Sequence, residues 1–101
     1  MKHDQLIQKA ALLLDMKDDA AGAEAVLREA ITAVQSAGDT VHLMEAQTFL
    51  GELLFALGRQ KESFDLLENV LQLAGRHDGE QDLVDSYTRA AKDILGQRQS
   101  T

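Results

Sequence analysis

Residues 49–67 read Phe49-Leu50-Gly51-Glu52-Leu53-Leu54-Phe55-Ala56-Leu57-Gly58-Arg59-Gln60-Lys61-Glu62-Ser63-Phe64-Asp65-Leu66-Leu67. Before Gly58, the apolar residues Leu43, Met44, Leu50, Leu53, Leu54 and Leu57 recur at helical spacing. After it, Phe64, Leu67, Val70, Leu71 and Ala74 do the same. Gly58 stands between them, where a left-handed residue just past a helix end suits glycine best. The stretch predicts two helices joined by a connection of a few residues, which forces them antiparallel.

The pattern extends in both directions. Leu6, Ile7, Ala10, Leu13 and Leu14 share one face of a first helix, and Ala23, Val26, Leu27, Ala30, Ile31 and Val34 share one face of a second. Beyond the quoted pair, Leu83, Val84, Tyr87, Ala90, Ala91, Ile94 and Leu95 form an unbroken helical stripe. Gly38 and Gly75 sit just past apolar stretches, as Gly58 does. Asp18 and Asp19 precede the second helix, and Asp39 and Thr40 precede the third. Asp78 precedes the fifth, with Gln81 three residues on as a capping-box partner. No segment sustains the alternation of a half-buried strand, and no proline breaks a helix interior. The 101 residues are 45% hydrophobic, enough for one core and not for two domains. The expectation is a single all-α domain of five helices spanning 1–101.

Sliding the chain against itself until Ala10 falls on Leu50, and Leu50 on Ala90, brings its apolar positions into register. At the same offset Ala11, Gly51 and Ala91 coincide, as do Leu14, Leu54 and Ile94. Ile7, Gln47 and Tyr87 also align. In the second helix of each unit Ala23 meets Ser63, Leu27 meets Leu67, Ala30 meets Val70 and Ile31 meets Leu71. The small pairs leave little or no side chain where one helix must approach its neighbour closely. Through Leu50-Gly51, Gly58, Ser63 and Leu67, residues 49–67 resemble a tetratricopeptide repeat. The first unit matches through Ala10-Ala11, Ala23, Leu27 and Ala30, with Asp18 in place of the turn glycine, and the fifth helix through Tyr87, Ala90-Ala91 and Ile94. The family's usual period is about 34 residues, so the resemblance is to a longer-period form. It also lacks the terminal proline, and Ile7 or Gln47 stands at the early tryptophan position. The resemblance implies antiparallel helix-turn-helix repeats in an α-solenoid: repeat one at 4–37, repeat two at 41–77, and a half-repeat or capping helix at 80–98.

Charge and chemistry exclude several classes of function. Ten Lys+Arg against seventeen Asp+Glu give a net charge of −7, so phosphate backbones and anionic membrane surfaces repel the chain. Neither a nucleic-acid partner nor membrane insertion is expected, since no apolar run approaches the roughly 20 residues that span a bilayer. The start, Met1-Lys2-His3-Asp4-Gln5, leads straight into a helical pattern without a signal peptide's apolar segment. The default location is therefore the cytoplasm. Without cysteine there is no thiol nucleophile or thiolate metal site. His3, His42 and His77 are not at helical two-histidine spacing, and 77–82 lacks the alternating ligands of an EF-hand. No phosphate loop, nucleophile elbow or catalytic triad can be assembled. No metal, cofactor or enzymatic activity is expected, and a small helical metal protein or enzyme is only a remote alternative.

What remains is a binding surface. In tetratricopeptide arrays the first helices of successive units line a concave groove that holds a peptide or helix of a partner. Carried over, this points to Gln5, Gln8, Lys9 and Leu12 on the first helix and Glu45, Thr48, Glu52 and Phe55 on the third. The fifth contributes Asp85, Thr88, Arg89 and Lys92. Lys9, Arg89 and Lys92 among acids suggest a mixed polar groove with an apolar centre. Leu12 and Phe55 either anchor a ligand or widen the core face. Places where some family members carry Lys and Asn to hold a carboxylate have Leu12, Thr48 and Phe49 here, so a carboxylate clamp is not expected. Asp85, Ser86, Arg89, Lys92 and Asp93 give the fifth helix the polar face of a cap. The implied function is a non-catalytic protein-protein interaction module, or scaffold. The alternative is a homodimer, through the groove or the terminal helix.

Overall fold

The computed structural model describes residues 2–97, and side chains over 5–97. The side chain of His3 and the last residue of the expected 80–98 segment lie outside the described residues. Five helices follow in order: α1 Lys2–Lys17, α2 Ala20–Ala37, α3 Thr40–Ala56, α4 Gln60–Arg76 and α5 Gln81–Gln97. There is no strand among the described residues.

The turns are built by capping chemistry. Gly38 (φ +70°) and Gly58 (φ +82°) take the left-handed conformation just past α2 and α3. The next residue then donates back to a carbonyl of the last turn: Asp39 N–H to Val34 at 3.0 Å, and Arg59 N–H to Leu54 at 2.9 Å. Asp18 occupies the matching place after α1 at φ +51°, a conformation Asp tolerates better than most residues. Asp19 Oδ1 then accepts from Gly22 N–H at 2.8 Å, and Asp39 Oδ1 from His42 N–H at 3.2 Å, opening α2 and α3.

Two sequence expectations fail at the last turn. Gly75 does not end α4, which runs on to Arg76 and stops at extended His77. The expected capping box of Asp78 and Gln81 is not made among the described residues. Instead Gly79 (φ +107°) and Glu80 (φ +53°) reverse the chain, and the Glu80 carbonyl accepts from Leu83 and Val84 N–H at 3.1 Å each. Gly75 has ordinary helical φ, so the reversal falls on the positive-φ pair four and five residues later.

The helices form two layers. α1, α3 and α5 lie side by side; α2 packs over α1 and α3, and α4 packs over α3 and α5. Among the described residues α1 meets neither α4 nor α5, so no single axis organises the fold. The molecule measures 34 × 32 × 20 Å, two helix diameters in its short dimension. Each three-helix step encloses a core. Ala10, Ala23, Val26, Leu27, Leu50, Leu53 and Leu54 fill the first; Met44, Leu67, Val70, Val84, Ala91 and Leu95 fill the second. α3 serves both, which is why apolar residues run nearly all the way round it. Positions one repeat apart are buried alike: Leu27 and Leu67, Ala30 and Val70, and Ala23 and Ser63 are all fully inaccessible.

Close approach explains the small residues. The Ser63 hydroxyl donates to the Gly51 carbonyl at 2.6 Å, which brings α4 so near α3 that a Cβ on Gly51 would stand 2.6 Å from Leu67 Cδ2. Gln47, at the early tryptophan position, is buried but accepts from Asn69 Nδ2 at 2.8 Å. That satisfies an amide which would otherwise destabilise the core.

Between the two units Arg59, beside the α3–α4 turn, grips Glu24 of α2 (2.7 and 3.0 Å) and Glu62 of α4 (2.6 and 3.1 Å). Arg28 adds a bond to Glu24 at 2.9 Å. These guanidinium bonds hold the Glu24 and Glu62 carboxyls below the usual glutamate range and push Arg59 upward. The cluster is the polar tie between the two units' second helices, whose backbones do not touch.

Candidate interaction groove

The inner layer is continuous at its core and open along the seam between α3 and α5. Side chains on α3 that face α5, and those on α5 that face back, leave a cleft of two neighbouring parts. The larger, about 460 Å³, lies near the α3 N-terminus between Asp39, His42, Glu45, His77, Leu83 and Tyr87. The smaller, about 270 Å³, runs along the seam and is lined by Glu45, Thr48, Phe49 and Glu52 of α3 and Ser86, Tyr87 and Ala90 of α5. Glu45 and Tyr87 border both.

Of the sequence candidates, Glu45, Thr48 and Glu52 come together on the α3 wall. Thr48 is only 4% exposed, so it forms the floor. Asp85, Thr88, Arg89 and Lys92 do not face this cleft; they line a separate shallow depression on α5. Gln5, Gln8, Lys9 and Leu12 are exposed on α1, away from the seam. Phe55 is half-buried against Phe64, ring centroids 6.1 Å apart and planes at 44°, and so widens the core between α3 and α4. The expected mixture of cations and acids is absent from the cleft: among the described residues neither lysine nor arginine lines either part.

In the smaller part the residues missed were Phe49, Ser86, Tyr87 and Ala90, and in the larger part only Glu45 was among the candidates. The α1 and α5 candidates are the α3 wall residues Glu45, Thr48, Phe49 and Glu52 shifted by one repeat, apart from the choice of Phe55 over Phe49. Translation copies a wall to the next seam, and beyond α5 no further helix stands among the described residues. The far wall of a real seam is the opposite face of the next helix. Tyr87 and Ala90, conspicuous in the stripe, carried that signal.

Two features mark the small cavity chemically. The Thr48 Oγ1 is buried without a hydrogen-bond partner among the described residues, an arrangement that disfavours the folded state unless something completes it. Glu52 makes no ion pair among the described residues, and desolvation lifts its carboxyl above the ordinary 4.5. At the other end His42 Nδ1 lies 2.6 Å from Asp39 Oδ2, and His77 Nε2 is buried without a partner among the described residues. No three His, Asp or Glu side chains among the described residues converge as metal ligands, and no described helix is long and apolar enough to cross a membrane.

The raised Glu52 carboxyl yields a pH-dependent prediction. A group whose folded pKa exceeds its unfolded value makes its full contribution below the unfolded value, and loses it as pH rises through the folded one. Glu52→Gln removes that late loss. In thermal melts followed by circular dichroism, the variant melts above wild type at pH 7, and the two coincide near pH 3.

Comparison of the chain with protein-family models, with curated proteins and with solved structures found no match.

Proposed function

We propose that this chain is a non-catalytic, tetratricopeptide-like module that holds a segment of a partner protein along the α3–α5 seam. The observation that carries this reading is the cleft itself, an opening between two neighbouring helices of one layer whose lining includes the partly buried rings of Phe49 and Tyr87. Aromatic anchors in a concave surface are the usual seat of binding energy. The matched burial of positions one repeat apart supports the repeat reading. The acidic charge favours a protein partner over nucleic acid.

The test is selection of a random 12-residue displayed peptide library against the full chain, with enriched peptides mapped by amide chemical shifts. Shifts are expected over 45–52 and 83–90, and Ala90→Trp, which fills the cleft, abolishes binding while leaving the circular dichroism spectrum unchanged. Binders that shift only the α2 or α4 surface refute the proposal.

A homodimer is the second reading, favoured by Leu12 and Met16 on α1, which are 56% and 76% exposed one helical turn apart. Light scattering decides it: a monomer mass at tens of micromolar removes the dimer.

A further inference from the structure

We propose that the small α3–α5 cavity receives a lysine or arginine side chain from the partner segment, an inference that rests on the seam being the binding surface. Size is the first argument. Clefts that enclose whole small ligands span roughly 300–1,000 Å³; this one, at about 270 Å³, suits a single long side chain. Its walls are the second. Phe49 and Tyr87 are among its lining, and aromatic rings both pack against an aliphatic stem and attract a cation.

The polar groups select the head of that side chain. Thr48 is more than nine-tenths buried and lines the cavity, and its buried hydroxyl oxygen has no partner among the described residues. Glu52 at the same cavity is an acceptor with no ion pair among the described residues. Each fits a donor, and a donor carrying positive charge makes the stronger bond to the carboxylate. An acidic side chain placed there meets Glu45 and Glu52, and an aliphatic one leaves Thr48 and the Glu52 carboxylate without a donor.

The rest of the molecule supplies the contrast. Glu24 and Glu62, on the outer layer, are met by Arg59 and Arg28 from within the chain. No lysine or arginine among the described residues lines the small cavity, and the nearby Arg89 and Lys92 belong to the depression on the other side of α5. In a chain of net charge −7, the missing cation is expected from outside.

The experiment takes the peptides enriched on the wild-type chain and measures their affinity by fluorescence anisotropy. A lysine or arginine is expected at one fixed position, and its replacement by norleucine weakens binding about tenfold or more, as expected for a hydrogen bond to a charged group. Glu52→Gln weakens the basic peptides to a similar degree but not their norleucine forms, and Thr48→Val has a smaller effect of the same kind. Glu29→Gln, an equal charge change on the outer face of α2, leaves affinity unchanged. Enriched peptides without a basic position, or equal binding to wild type and Glu52→Gln, overturn this inference; if those peptides still shift 45–52 and 83–90, the seam remains the binding surface. Failure to enrich any peptide at the seam, or a dimer whose interface covers Thr48 and Tyr87, overturns both.

Discussion

A chain ending at residue 77, without α5, is expected to stay helical yet melt far below the full protein and self-associate as concentration rises. α5 contributes Val84, Ala91 and Leu95 to the second core, against Met44, Leu67 and Val70. Burial of Val84 and Leu95 alone is worth about 1.5–3 kcal/mol each, and at 4–8 °C per kcal/mol in a domain of this size the melting temperature falls by roughly 15 °C or more. The buried residues of the first core come from α1, α2 and α3, with Leu66 of α4 packed against them, and none from α5, so it survives the deletion. The uncovered faces of α3 and α4 form an apolar patch of the kind that recruits other molecules. Circular dichroism melts and light scattering read the two effects. A shortened chain with no helix at all contradicts the stepwise architecture, because only a fold with one shared core fails all at once.

Leu67→Ala is expected to cost about 2–5 kcal/mol, the range for a fully buried leucine. Its more informative use is in combination with Gly51→Ala. Alone, Gly51→Ala gains roughly 1 kcal/mol of helix propensity. It also drives a methyl to 2.6 Å from Leu67 Cδ2 and 2.7 Å from Cγ, an overpacking cost of about 1–3 kcal/mol. The net effect on wild type is destabilising. In the Leu67→Ala background the obstacle is gone and the new methyl fills part of the void, so the same substitution becomes stabilising. Urea denaturation of the four proteins measures this reversal of sign as a coupling within the usual range of about 0.5–3 kcal/mol for contacting residues. Additive effects refute close α3–α4 contact at this point.

Periodicity made the five helices legible, because each packs a stripe against at least two neighbours. The turns at Gly38 and Gly58 were equally plain. The one after α4 was not, since Gly75 has the composition of a terminator but its neighbours continue to pair along the helix, and the positive-φ work falls to Gly79 and Glu80. The α3 wall of the cleft was readable from the family's inner-helix positions. The α5 wall was not. A shift by one repeat superimposes equivalent faces, whereas a cleft is bounded by non-equivalent ones. Phe55 shows a different limit: its spacing suits either a groove or a hairpin core, and only the position of Phe64 decides between them.

Since α1 and α5 have no contact among the described residues, nothing in the topology fixes how many hairpins such a protein can hold. Duplication of the α3–α4 hairpin together with α5 would lengthen the row, and a copy that keeps Thr48, Phe49, Glu52 and Tyr87 would bring a second slot. A ligand bearing several matching side chains would then engage the slots together, and its later contacts would form at the high effective concentration set by the first. Strength of attachment in such descendants grows by counting slots rather than by refining any one of them.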